Sequence, residues 1–265
     1  MKHSMWLTLF PECRGGGVVR RYGGRQDGGV WRRIVAVEKD RCRVIIKYGT
    51  DPIIAKEAGV YQWLQEKKAP CVPRLLGRQE REGNFGLMVE HCPGRRARFE
   101  RAREVEQVFL ARGHCMAHTG TADAHHWSSS PSADEEFTMG AVYRSRSRLA
   151  QLVDENSEEG HLLIRAAEVM ERNAEWAAAV ARMVPRVAHH GDLSKENALV
   201  DGVNVRFVDF EHAQVVYLGD ALWTLGEDWG SLPRHEMVDV ALRSIVNGYF
   251  GSNVARDVYS NAIMA

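Results

Sequence analysis

The sequence has no excess of charge of either sign: Lys plus Arg and Asp plus Glu stand at 35 each in 265 residues. That balance removes the global electrostatic pull toward nucleic acid or an anionic membrane, and neither is expected as a partner. Cysteine is sparse. Cys13, Cys42, Cys71, Cys92 and Cys115 are scattered, odd in number and without a C-x-x-C pair, unlike a secreted disulfide framework. Reduced thiols in a cytoplasmic protein are expected. Long apolar runs are missing too: the opening MKHSMWLTLFPECRGGG is broken by Pro11 and Glu12, too short for a signal peptide or a membrane span. No repeat is visible, and the polar patch from His125 to Glu136 reads as a loop. What is present is 45% hydrophobic and 26% charged residues, which excludes disorder, collagen-like repeats and a coiled coil.

The first third reads as sheet. VWRRIVAVE and CRVIIKYG are Val- and Ile-rich runs separated by the polar turn KDR, the pattern of a hairpin, and glycine-rich turns precede them. TDPIIAKEAGVYQWLQEKK then carries helix signals: Thr50 or Asp51 to cap, Pro52 for the first turn, and apolar spacing at Ile53, Ile54, Tyr61 and Leu64. CVPRLLG and FGLMVEH follow as extended segments. After CPGRR the periodicity turns helical in EVEQVFLARGHCMAHTG and HLLIRAAEVMERNAEWAAAVARMV. NALVDG and VRFVDF interrupt it as short strands, and the tail from about Ala221 is helical again. The spacing predicts a small sheet-rich unit with one helix over residues 1–91, and a larger, mainly helical unit over 92–265. A cleft between two such units is the expected site.

The chemistry concentrates between Val187 and Ala213. His190, Asp192 and Asn197, followed by Asp209-Phe210-Glu211, reproduce H-x-D-x-x-x-x-N and D-F-x. In kinases the first aspartate of such a set accepts the substrate hydroxyl proton, and the asparagine and later aspartate hold Mg²⁺. A loop carries Asp192, a strand begins near Asn197, and a hairpin through Asp201-Gly202 returns Asp209 beside it. Turn residues and a strand-end charge would explain each acid singly; D-F-E at the end of an apolar strand argues for the set.

That chemistry requires a strand lysine for nucleotide phosphates and a helical glutamate to hold it. Lys47 ends RVIIK, and Glu57 falls on the inward face with Ile53, Tyr61 and Leu64. A glutamate there needs a cation, and Lys47 is the candidate. A solvated Glu57 at the edge of the stripe is the alternative. Gly23, Gly24, Gly28 and Gly29 could cradle phosphate, although YGGRQDGGVWR lacks G-x-G-x-x-G and glycine clusters are often plain turns.

Taken together, RVIIK, AKEAG, LMVEHCPG, FLARGHCMAH, HHGDLSKENALV and VRFVDFEHA resemble the aminoglycoside phosphotransferase and choline kinase superfamily over residues 20 to 230. The resemblance implies an α+β, two-lobed protein-kinase-like fold, with a small β-rich N-lobe carrying one helix and a larger helical C-lobe. It implies ATP or GTP in the cleft with Mg²⁺, and a small-molecule hydroxyl as acceptor, on an aminoglycoside-type or other antibiotic or on a choline-, amino-alcohol- or sugar-like metabolite. By position, Asp192 would be the catalytic base and Asn197 and Asp209 the metal ligands. Lys47, held by Glu57, would meet the α and β phosphates. Glu90 and Cys92 would face adenine through their backbones, with Val89 behind. His118 would play a structural part.

Departures from protein kinases carry meaning. Gly191 replaces the arginine that reads a phosphorylated activation loop, and no A-P-E follows Asp209, so regulation by that route is not expected. Glu211 stands where protein kinases have the DFG glycine; a metal-site contact and a strand-end charge both remain open. Glu211, Glu227, Asp228 and Trp229 are candidate contacts to the acceptor. Trp223, Glu227, Asp228 and Trp229 suit a cationic acceptor by charge and cation–π contact, although an ordinary helix end with buried tryptophans is the slightly preferred reading. His114 and His118, at i,i+4, are expected to serve helix packing, and Asp220 to brace the catalytic loop. A pseudokinase is disfavoured, because Lys47, Glu57, Asp192, Asn197 and Asp209 are all present.

Overall fold

The computed structural model describes residues 5–27, 29–119, 157–183, 186–218 and 235–251. Trp223, Glu227, Asp228, Trp229, Asp220 and the patch at 125–136 lie outside them. The N-lobe is one five-stranded antiparallel sheet in the order β1-β2-β3-β5-β4. Its strands are β1 (Gly17–Asp27), β2 (Val30–Lys39), β3 (Cys42–Gly49), β4 (Leu75–Arg81) and β5 (Asn84–Glu90). Alternation sorts their side chains onto two faces.

The outer face is covered by the short helix α1 (Met5–Leu9) and the 3₁₀ turn Pro11–Cys13. Trp6, Leu9, Phe10, Trp31, Val35, Val37, Ile46, Tyr48 and Met88 form a core there, separate from the main one. Phe10 is fully buried, worth roughly 2–3 kcal/mol of transfer free energy. Its ring lies against Gly77 and Gly86; a Cβ on Gly86 would stand 2.8 Å from it. Periodicity predicts no element here, because the apolar run is too short to show one.

The inner face is built in rows across the strands. Tyr22, Ile34, Lys47 and Leu87 are register partners in one row, Ala36, Ile45 and Val89 in the next, and Arg32, Gly49 and Phe85 in a third. Helix α2 (Ile53–Glu66) packs on this face with Ile54, Glu57, Ala58, Val60, Tyr61, Trp63 and Leu64 buried. Its start is fixed by Asp51, whose Oδ1 accepts the Ile53 N–H at 3.1 Å. Thr50 is engaged elsewhere, accepting the Trp31 N–H at 3.1 Å.

After β5 the chain crosses to the C-lobe and at once pairs with it. The two-residue strand β6 (Arg95–Arg96) hydrogen-bonds to β8 (Ala198–Asp201), which forms a hairpin with β9 (Asn204–Phe207). β7 (Arg186–His189) pairs with β10 (Gln214–Tyr217). The C-lobe helices are α3 (Ala102–Thr119), α4 (Glu158–Met183) and α5 (His235–Phe250); α3 packs against β7 and against α5. α3 and α5 cross at Gly113 and Gly248, where a Cβ on either would stand 2.2 Å from a carbonyl of the other helix. His114 and His118 lie on the exposed side of α3, not in its packing face. The packing comes from Val105, Val108, Phe109 and Met116.

Candidate active site

The cleft between the lobes holds about 410 Å³ and is lined by Tyr22, Ile34, Ile45, Lys47, Glu57, Tyr61, Leu87, Val89, Glu90, His91, Cys92, Arg96, Glu196, Asn197, Leu199, Val208 and Asp209. Its sheet wall is apolar toward the connection after β5 and charged at Lys47, a division suited to a base at one end and phosphates at the other. Glu90 donates its N–H to Arg74 O at 3.0 Å and His91 to Arg43 O at 3.2 Å. Pro93 has no N–H to offer. Among the described residues the Cys92 N–H meets no protein acceptor, which leaves it open to solvent or to a ligand.

Lys47 projects from the centre of the sheet and is 6% exposed. Its Nζ lies 2.6 Å from Glu57 Oε2, 2.6 Å from Asp209 Oδ1 and 3.6 Å from Glu211 Oε2. Burial works against the ammonium, but Glu57 and Asp209 raise its pKa and hold it protonated. Burial is the larger influence on Glu57 and pushes its carboxyl up to about 7, with Lys47 pulling back. Burial would also raise Asp209; Lys47, by charge and hydrogen bond, overcomes it and holds that carboxyl below its usual range.

Asp209 adopts the left-handed conformation (φ 67°, ψ 62°), tolerated by aspartate and aimed by its neighbours. Its N–H donates to the Tyr61 hydroxyl at 3.3 Å. Phe210 sits between the Tyr61 ring (centroids 5.2 Å) and the His190 ring (4.5 Å), so α2, the D-F-E turn and the H-G-D loop share one packed column. His190 Nε2–H donates to Val208 O at 2.9 Å, and its Nδ1 accepts the Asp192 N–H at 3.4 Å. Because a carbonyl can only accept, this fixes the tautomer. Burial pushes His190 down to about 4, consistent with a neutral ring.

Asn197 closes the loop by donating from Nδ2 to Asp192 O (2.8 Å) and Asp192 Oδ2 (3.2 Å). Its carbonyl accepts the Val208 N–H at 3.0 Å, tying the start of β8 to the residue before Asp209. Asp192 itself is exposed and stands at the rim, outside the lining of the cleft. Glu211 is buried behind Asp209 and paired with Arg32 of β2: Arg32 Nη2 lies 3.1 Å from Oε1, and Nη1 bonds Oε2. Of the two readings of Glu211, an ion pair inside the site replaces the strand-end charge.

Lys47, Glu57, Val89, Glu90, Cys92, Asn197 and Asp209 therefore share one cleft, with Asp192 beside it. Gly23 and Gly24 do not join them. They lie within β1, where the register shifts between Tyr22 and Gly24, and a Cβ on Gly24 would stand 2.5 Å from Arg32 O. The β1–β2 turn falls between Asp27 and Val30 instead, at Gly29 with φ 88°. Gly24 lines a separate cavity of about 260 Å³ near the β1–β2 edge with Trp6, Tyr22, Trp31, Arg32, Arg33 and Tyr48; none of the acids or amides above reaches it. Arg32 and Tyr61 were missed as site residues. Arg32 alternates with Ile34 and Ala36 on the inward side of β2, a signal that was present in VWRRIVAVE.

Comparison with known proteins decides the family. A model of the phosphotransferase enzyme family (APH) matches residues 27–245. The chain belongs to that family. Its fold is shared with the ADP-bound aminoglycoside phosphotransferase APH(2'')-Ib, at a TM-score of 0.59 and 12% identity over 99% of this chain and 86% of that one. An aminoglycoside phosphotransferase from Alicyclobacillus acidocaldarius superposes with a TM-score of 0.53 and 14% identity, covering 88% and 74% of the two chains. The ethanolamine kinase of Plasmodium vivax does so with 0.53 and 12%, covering 96% and 73%. No curated protein matches the sequence. The protein is a phosphotransferase of two-lobed, kinase-like fold. No helix among the described residues is long and apolar enough to cross a membrane.

Proposed function

We propose that this phosphotransferase moves the γ-phosphate of ATP or GTP, with Mg²⁺, to a hydroxyl of a small molecule, of the aminoglycoside type or another antibiotic. The observation that carries this reading is Lys47, a buried cation joining Glu57 of α2 to Asp209 of the D-F-E turn at the inner end of the cleft. The donor set suits a hard divalent ion: Asp209 keeps one oxygen off Lys47, the Asn197 amide oxygen is left over from Nδ2, and Glu211 lies alongside. Mg²⁺ bound there would neutralise developing charge on the phosphates.

The chain's own residues do the rest. Val89 and Ile45 hold the base, the Cys92 N–H fixes its orientation, and Lys47 meets the α and β phosphates, kept charged by Glu57. Asn197 pins one oxygen of Asp192, and the other has no protein partner among the described residues. That oxygen takes the proton as the acceptor hydroxyl attacks the γ-phosphorus. A new O–P bond forms, the bond to the β,γ-bridging oxygen breaks, and the nucleoside diphosphate leaves with the electron pair. Positioning and electrostatics supply most of the acceleration.

The acceptor class rests on the family and on the aminoglycoside phosphotransferases that share the fold; the ethanolamine kinase keeps an amino alcohol as a second acceptor. Nucleoside diphosphate release with ATP or GTP, Mg²⁺ and a panel of aminoglycosides, peptide antibiotics and amino alcohols tests it. Acceptor-dependent turnover that falls roughly 10²-fold or more in Asp192→Asn is expected. Unchanged turnover in that variant would remove Asp192 from the role of base.

A further inference from the structure

Among the described residues of the N-lobe, two cations reach the acids of the D-F-E turn, the first being Lys47. The second is Arg32. It lies in the inner-face row beyond Lys47, counting away from the connection after β5: Val89 and Ile45, then Leu87 and Lys47, then Phe85, Gly49 and Arg32. Successive same-face residues are two apart, about 6.8 Å along an antiparallel strand. Gly49, directly across from Arg32, brings no side chain to that row. A nucleotide with its base against Val89 and its α and β phosphates at Lys47 therefore extends toward the Arg32 row with its third phosphate.

The charge arrangement supports the same placement. Arg32 is held by both oxygens of Glu211, and the charges of Asp209 and Asp51 act on it as well. Glu211 also lies 3.6 Å from Lys47, and Asp209 lies 2.6 Å from it. Arg32 is thus neutralised by Glu211, and Lys47 by Glu57 together with Asp209 and Glu211; Asp209 and Glu211 are the carboxylates that a divalent ion would engage. Once those carboxylates are so engaged, Arg32 keeps its position on a rigid strand but loses its counter-ion. A planar guanidinium freed in this way matches the paired oxygens of a terminal phosphate.

We propose that Arg32 is a ligand of the γ-phosphate, masked by Glu211 until the metal–nucleotide complex arrives. It can play this part only if the cleft takes a nucleoside triphosphate, as proposed above. The contact is selective by position: Arg32 touches the third phosphate and neither of the first two. It therefore favours triphosphate over diphosphate, and it stabilises the charge on the group in transit.

The test is calorimetric titration of ADP and of the β,γ-imido analogue of ATP, each with Mg²⁺, into wild type, Arg32→Met and Arg32→Lys. Arg32→Met should weaken the triphosphate analogue roughly 10-fold or more, the scale of a lost charge-assisted hydrogen bond, and leave ADP close to wild type. Arg32→Lys should recover part of the difference, and it decides the matter alone if Arg32→Met does not fold. Equal weakening of both ligands, or no weakening, overturns the proposal while leaving the nucleotide site standing. Binding of neither ligand to the wild type overturns both the Arg32 contact and the nucleotide reading beneath it.

Discussion

The carbonyl of His212 passes so close to Gly191 that a methyl group on Gly191 would stand 2.0 Å from its oxygen, at a backbone φ of +81°. Position 191 is therefore closed to any side chain, and the H-G-D loop and the residues after the D-F-E turn are in backbone contact. The arginine that protein kinases carry between these histidine and aspartate positions could not be accommodated. Gly191→Ala combines left-handed strain of about 1–2 kcal/mol with a clash against backbone that must move. Displacing Asp192 should lower kcat by ~10²-fold while ADP binding, read by titration, stays near wild type. Wild-type turnover in Gly191→Ala would show that the loop tolerates the shift.

Tyr61 links α2 to the D-F-E turn by accepting the Asp209 N–H at 3.3 Å. Tyr61→Phe keeps the ring contact with Phe210 but leaves that N–H unpaired. A stability loss of about 1–3 kcal/mol is expected in urea unfolding, with weaker Mg²⁺-nucleotide binding as Asp209 loses its fixed direction. Unaltered stability and nucleotide affinity would reduce Tyr61 to ring packing.

Lys47→Met strands a fully buried carboxyl. Breaking one side of such a pair costs about 3–5 kcal/mol, but Glu57 already sits up at about 7 and escapes the penalty by taking a proton. The variant's deficit relative to wild type should therefore be larger at pH 8 than at pH 6, and Lys47→Met/Glu57→Gln should recover much of it at pH 8. A deficit independent of pH would show that Glu57 stays ionised without its partner.

His189 and His190 set an acid limit. Burial, then the Arg112 guanidinium, pushes His189 down to about 2; burial pushes His190 to about 4. Arg112 Nη2 lies 2.8 Å from His189 Nδ1, so the ring accepts and is neutral. Both folded values lie below the unfolded one near 6.5, so the unfolded chain binds the protons first. This part of the stability is complete above pH ~6.5 and lost as pH falls, at up to about 2.7 kcal/mol per pH unit for two protons. His189→Gln should roughly halve that slope between pH 6 and 5. An unchanged slope would mean that other groups set the acid limit.

Much of this was legible in the sequence, for identifiable reasons. β3 occupies the whole of CRVIIKYG, and α2 falls inside its expected segment, because Val-Ile alternation and helical spacing with Pro52 and Asp51 are strong local signals. The H-x-D-x-x-x-x-N and D-F-E spacings reflect one hairpin, β8–β9, whose length is fixed by the chain itself. β1 was hidden: VVRRYGGRQD is arginine and glycine on a largely exposed edge, and nothing in its composition separates a bulged strand from a turn. β7 and β10 are four residues each, too short to show a period. The pairing of Arg32 with Glu211 links positions 179 residues apart, a relation that only the packed lobes create.

That the cleft holds a metal–nucleotide complex on Asp209 is tested most directly by thermal unfolding with ATP or GTP, each with and without Mg²⁺, in wild type and Asp209→Asn. Asparagine tolerates the left-handed backbone at position 209, so the variant removes the charge and leaves the turn. Nucleotide at 100 times its Kd should stabilise the wild type by about 2.7 kcal/mol, only with Mg²⁺ present, and Asp209→Asn should lose that gain. No stabilisation by either nucleotide, or a stabilisation indifferent to Mg²⁺ and to Asp209→Asn, would contradict it.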